Sequence, residues 1–73
     1  MERVAVESHD IAVVGYARET RELEITFRRG GVYHYQNVPE SVYRELMAAP
    51  SVGSYFSQNI KDKYPCRKAT QSK

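Results

Sequence analysis

Few residues in this chain are of types that do chemistry, and their spacing narrows the options further. Ser8-His9-Asp10 contains the three residue types of a hydrolytic relay. Neighbours on an extended chain point to opposite faces, so the three cannot converge, and Ser8 reads as a turn or strand-opening residue. His34 stands alone, with no serine or cysteine motif linking it to His9. One cysteine and two histidines without close spacing fall short of the four ligands of a structural zinc. Cys66 neighbours Arg67 and Lys68, which favour a thiolate, although an exposed free thiol is the simpler reading. Gly30-Gly31 has no helix after it to offer a phosphate its N-terminus. The chain therefore reads as a binding domain without catalytic residues, metal or cofactor.

The binding candidates are cationic and aromatic. All four lysines lie from Lys61 onward, where Lys61, Lys63, Arg67, Lys68 and Lys73 face Asp62 alone. Arg28 and Arg29 sit at an expected hairpin tip. Such groups neutralise phosphates, and exposed rings stack on unpaired bases at ~1–3 kcal/mol each. For RNA or another single strand, the contact set is Arg28, Arg29, Lys61, Lys63, Arg67 and Lys68, with Tyr33 and Tyr35 secondary. The plain counter-reading is a solvated basic tail with the tyrosines in the core.

The elements that position these residues follow from periodicity. Residues 11–17 are β-branched and aromatic, and residues 22–28 alternate, with Leu23, Ile25 and Phe27 opposite Glu22, Glu24, Thr26 and Arg28. Gly30-Gly31 supplies the positive φ of a tight hairpin before a third strand, residues 32–36. Asn37 and Glu40 fit a capping box around Pro39, and Val42, Tyr43, Leu46 and Met47 share one helical face. Pro50 ends that helix. Ser51 caps a second, carrying Phe56, Ile60 and Tyr64 at four-residue spacing until Pro65. The expected fold is α+β: a three-stranded antiparallel meander, two short helices packed on one face, and a disordered basic C-terminal tail. Residues 1–7 form an N-terminal arm, 8–64 the domain and 65–73 the tail.

The face taken by Tyr33 and Tyr35 depends on the loop after Phe27. An even loop places them with Arg28, Thr26 and Glu24. An odd loop sets Tyr33 against Phe27 and Tyr35 against Ile25. Burial favours the odd loop, because two tyrosines offer far more apolar area than Val32, His34 and Gln36, at roughly 25 cal/mol per Å².

About 57 residues, Ser8 to Tyr64, are left to build a core. That is near the lower limit for unaided folding, which makes added burial from a partner or a homodimer plausible. An uncovered edge on the first or third strand would suit such a protein-interaction or self-associating module. A third reading is a small anionic ligand, such as a nucleotide, held by Arg44, Lys61 and Lys63 near Tyr55 and Tyr64. No apolar run is long enough to span a membrane, residues 1–7 lack a signal-peptide core, and a single cysteine fits a reducing cytoplasm.

In order along the chain, Ser8, Gly15-Tyr16, Leu23, Phe27, Gly30, Tyr33-His34-Tyr35, Val38-Pro39, Tyr43, Ser51, Gly53, Tyr55-Phe56, Ile60 and Tyr64 resemble the KTSC domain. That family takes its name from the C-terminus of some lysyl-tRNA synthetases and also occurs as short free-standing bacterial proteins. The resemblance covers nearly the whole expected domain. It implies RNA binding as a suggested role, from the synthetase context. Val52 stands where the family often has a basic residue between the Ser and Gly of the second helix, which removes one phosphate contact. With no synthetase domain in the chain, a role in tRNA charging does not follow.

Overall fold

The computed structural model describes residues 2–69. Its elements, in chain order, are β1 (Glu2–Ala5), β2 (Ile11–Ala17), β3 (Glu22–Phe27), β4 (Val32–Tyr35), α1 (Glu40–Ala48), α2 (Val52–Asn59) and β5 (Cys66–Lys68). The strands form one antiparallel sheet in the order β1-β2-β3-β4-β5, with both helices inserted before the last strand. The fold is α+β, as expected, but the sheet has five strands rather than three. Among the described residues, no helix is long and apolar enough to cross a membrane.

Both extra strands come from segments expected to lie outside the sheet. Residues 2–5 of the N-terminal arm pair with β2, and residues 66–68 of the basic tail pair with β4. Every residue of β1 and β5 is exposed, so neither carries the alternation of a half-buried strand. What they supply is main-chain hydrogen bonding to an edge that would otherwise be open. The first and third strands of the expected meander are therefore interior strands. The rest of the tail, residues 70–73, lies outside the described residues.

The β3–β4 hairpin settles the tyrosine question by loop parity. Arg28, Arg29 and Gly30 form a three-residue loop, closed by bonds from the Gly30 N–H to the Phe27 carbonyl at 3.0 Å and from the Phe27 N–H to the Gly31 carbonyl at 3.1 Å. Gly30 and Gly31 adopt φ of +108° and +97°, conformations open to glycine and strained for other residues. The odd loop turns both tyrosines toward the helices, as burial required. Their partners are each shifted by two residues: Tyr33 lies opposite Ile25 and Tyr35 opposite Leu23. Tyr33 still meets Phe27 diagonally, edge to face at 5.5 Å.

The core lies between the sheet and both helices and comprises Ile11, Val14, Tyr16, Leu23, Ile25, Tyr35, Val38, Leu46, Phe56 and Ile60. Leu46 is the buried residue of α1, flanked by half-buried Val42, Tyr43 and Met47, the face expected from spacing. Tyr43 stacks on Tyr16 at 4.8 Å, and the Tyr16 hydroxyl donates to the Val38 carbonyl. The capping box at Asn37 does not form. Asn37 sits at φ +63°, a left-handed turn that asparagine tolerates, and Pro39 takes the cap position without a side-chain bond. The Glu40 carboxylate instead reaches Arg18 at 3.2 Å and Arg44 at 3.3 Å.

Ser51 does cap α2, its hydroxyl accepting from the Ser54 N–H at 3.3 Å. Ser51→Ala is expected to lower stability by about 1 kcal/mol, read as a shift of the urea midpoint at unchanged slope. An unchanged midpoint would show that water replaces the cap. The helix ends at Asn59, well before Pro65, and Ile60 is its buried C-cap. Turning there lets the chain return to the sheet, where the Gln36 N–H donates to the Pro65 carbonyl at 2.9 Å and opens the β4–β5 pairing.

Candidate functional site

The fold brings four separated segments around one groove. The β1–β2 connection contributes His9 and Asp10, and the β3–β4 loop contributes Arg28, Arg29 and Gly30. Helix α2 adds Phe56 and Ser57, and the turn after it adds Lys61 and Asp62. The cavity is about 890 Å³. Past Gly53 it continues into a trough of about 450 Å³ bordered by Ser8, Ser51, Ser54 and Ser57 together with Glu7 and Asp10. The aromatic floor is one interlocked set: Phe27 meets Phe56 at 5.7 Å, and Tyr35 meets Phe56 at 5.4 Å, both edge to face.

The six cations singled out from sequence separate into three groups. Arg28, Arg29 and Lys61 line the groove. Lys68 is next to it, with Nζ 6.0 Å from the centre of the Tyr33 ring, within cation–π range. Lys63 is exposed and does not line the groove, and Arg67 is paired with His34 across the strand, on the face away from the helices. The two adjacent arginines also differ in role. The Arg28 guanidinium donates to the main-chain carbonyls of Ser8 and Val6, so it braces the turn between β1 and β2. Arg29 extends from the loop and, among the described residues, forms no ion pair.

Tyr33 is half-buried and lines the groove, whereas Tyr35 is only 4% exposed and belongs to the core. Burial, reinforced by the neighbouring Cys66 thiol, pushes the Tyr35 phenol up to about 12. Burial likewise raises Tyr16. A 2.7 Å hydrogen bond to the Glu45 carboxylate raises Tyr55 to about 12. That bond holds Tyr55 outside the groove, as the pair with Glu40 holds Arg44, so the residues of the small-ligand reading do not gather around Lys61.

Ser8-His9-Asp10 does not form a relay. The Ser8 hydroxyl accepts from the N–H groups of Asp10 at 3.3 Å and Ile11 at 3.4 Å, the geometry of a turn. His34 lies on the other side of the sheet, its Nδ1 2.6 Å from Glu22 and its Nε2 3.8 Å from Glu24. Glu24, only 7% exposed, also accepts from Arg3 Nε at 2.9 Å. Across the five strands, Arg3, Gly15, Glu24, His34 and Arg67 stand in one row. Strand alternation had marked Glu24 as a solvent-facing residue; β1 and the His34 ring cover it. Asp10 and Asp62 went unnoticed as groove residues, because each lies in a turn and no periodicity marks where a turn points.

Comparison with known proteins gives consistent relationships. The family model of the KTSC domain matches residues 7–64. An uncharacterised protein of Stutzerimonas stutzeri is 38% identical over 64 residues, 88% of this chain and 90% of its own. A lysine-tRNA ligase of Nostoc punctiforme is 45% identical over 49 residues, which are 67% of this chain but only 9% of the ligase. The crystal structure of a KTSC domain protein from Yersinia pestis superposes with a TM-score of 0.89 at 43% identity, covering 92% of this chain and 94% of that one.

Proposed function

Because the chain belongs to the KTSC domain family, whose matched segment also occurs within lysine-tRNA ligases, we propose that it binds single-stranded RNA in the groove beside α2 and performs no chemistry on it. The observation that carries this reading is the convergence of Arg29 and Lys61 on an aromatic-floored groove, with Lys68 over the adjacent Tyr33 ring. The cations face the phosphates, and the exposed part of Tyr33 meets a base once Lys68 moves aside. The serine-bordered trough beyond Gly53 extends the path for a strand. The relatives named as ligases act on a tRNA, which suits an RNA-handling module, and we assign this one to the cytoplasm.

Fluorescence anisotropy with a short labelled single-stranded RNA tests the reading. Three phosphate contacts at a single-strand slope of about 0.7 each predict roughly 20-fold weaker binding between 50 and 200 mM salt. Arg29→Ala with Lys61→Ala should weaken binding and flatten that slope. Arg28→Ala is a poor probe, since it also releases the β1–β2 turn. Salt-insensitive binding, or none at low salt, would remove the proposal.

One observation favours a second reading, a protein-interaction or self-associating module. β1 is a sheet edge with every residue exposed, Val4 at 40%, and main-chain groups available for another strand. Sedimentation that finds only monomer at high concentration, with no partner recovered from extract, would dismiss it.

A further inference from the structure

The groove holds charges of both signs that leave each other alone. Arg28, Arg29 and Lys61 line it together with Asp10 and Asp62. Among the described residues, none of these five forms an ion pair, and neither carboxylate accepts a side-chain hydrogen bond. A groove built only to attract phosphate would do better without carboxylates, which repel a polyanion. Ionised carboxylates accept hydrogen bonds and donate none. The ligand that suits the lining is therefore anionic at some points and a hydrogen-bond donor at others. RNA has that alternation along its backbone: a phosphate at every step and a 2′-hydroxyl on every sugar. DNA has the phosphates alone.

We propose that the groove selects ribose over deoxyribose, with Asp10 and Asp62 accepting hydrogen bonds from 2′-hydroxyls while Arg29 and Lys61 hold neighbouring phosphates. This rests on the RNA reading above and adds the residues that make it specific for RNA. A hydrogen bond to a charged acceptor accounts for about a ten-fold preference per carboxylate engaged. The same carboxylates disfavour a strand that cannot donate to them, so selection acts by attraction and by repulsion.

The experiment is competition anisotropy on the full chain at low salt, using one sequence as ribo-, deoxyribo- and 2′-O-methyl oligonucleotide. The expected result is RNA about a hundred-fold tighter than both others, ten-fold for each of the two carboxylates, since the methyl ether keeps the sugar but loses the donor. In Asp10→Ala and Asp62→Ala, RNA should lose its advantage while DNA binds as well as before or better. Equal binding of all three would overturn the ribose proposal and leave the RNA-binding reading standing. So would 2′-O-methyl RNA matching RNA, which would mean selection by shape, or a preference that survives both substitutions. No binding of any of them would overturn both readings and return the mixed-charge groove to a peptide or other zwitterionic ligand.

Discussion

Phe56→Ala is expected to remove about half of the protein's stability. The ring is 4% exposed and meets Phe27 and Tyr35 edge to face, so one side chain joins α2 to both strands of the central hairpin. Deleting a buried aromatic ring costs about 3–5 kcal/mol. A domain of this length has roughly 4–11 kcal/mol in all. Urea titration followed by circular dichroism should show the midpoint falling to about half the parent's at unchanged slope. Phe56→Leu, which keeps much of the volume, should retain a cooperative transition at a lower midpoint. A Phe56→Ala protein with the parent's midpoint would show that α2 is held elsewhere, and the groove floor would need another explanation.

The second large effect is alkaline. Tyr35 titrates at about 12 in the folded protein, against an ordinary value of 10.0, chiefly because burial disfavours the phenolate. The neutral phenol is the form the fold favours. Its stabilisation is therefore complete below pH 10 and is lost as pH rises from 10 through 12. The two-unit displacement corresponds to on the order of 3 kcal/mol across that window. Tyr35→Phe removes one titrating group at small steric cost, so its stability should fall less between pH 9 and about pH 12, the remaining slope coming from Tyr16 and Tyr55. Parallel pH profiles for parent and variant would mean that the Tyr35 phenolate reaches water without disturbing the core.

Where a segment is rich in β-branched and aromatic residues, or repeats its apolar residues at a strand or helix period, this fold was legible from residue types. β2, β3, β4, the two helices and the cap at Ser51 all showed this way, and so did the inward turn of Tyr33 and Tyr35, since a small domain must use its largest apolar area. The terminal strands were not legible. β1 and β5 bury nothing, and an edge strand held by main-chain bonds can be built from almost any residues. The register was half legible: apolar area decides the parity of the loop, whereas the geometry of a three-residue turn decides the partners.

The candidate site divides along the same line. By itself the sequence determined that the four lysines gather at the chain's end, that two adjacent arginines sit at a hairpin tip, and that an ordered set of residues is shared with the KTSC family. Tertiary structure alone decided which cations meet. It joins Arg29 to Lys61 in one groove, turns Arg28 onto the backbone of the β1–β2 connection and sends Arg67 to the far face. It also sets Asp10 and Asp62 beside those cations without pairing them. The physical reason is that side-chain type fixes a residue's charge and its preference for water, which local patterns record. The direction in which an exposed charge points depends on the path of the backbone beneath it, and packing of segments far apart in the chain sets that path.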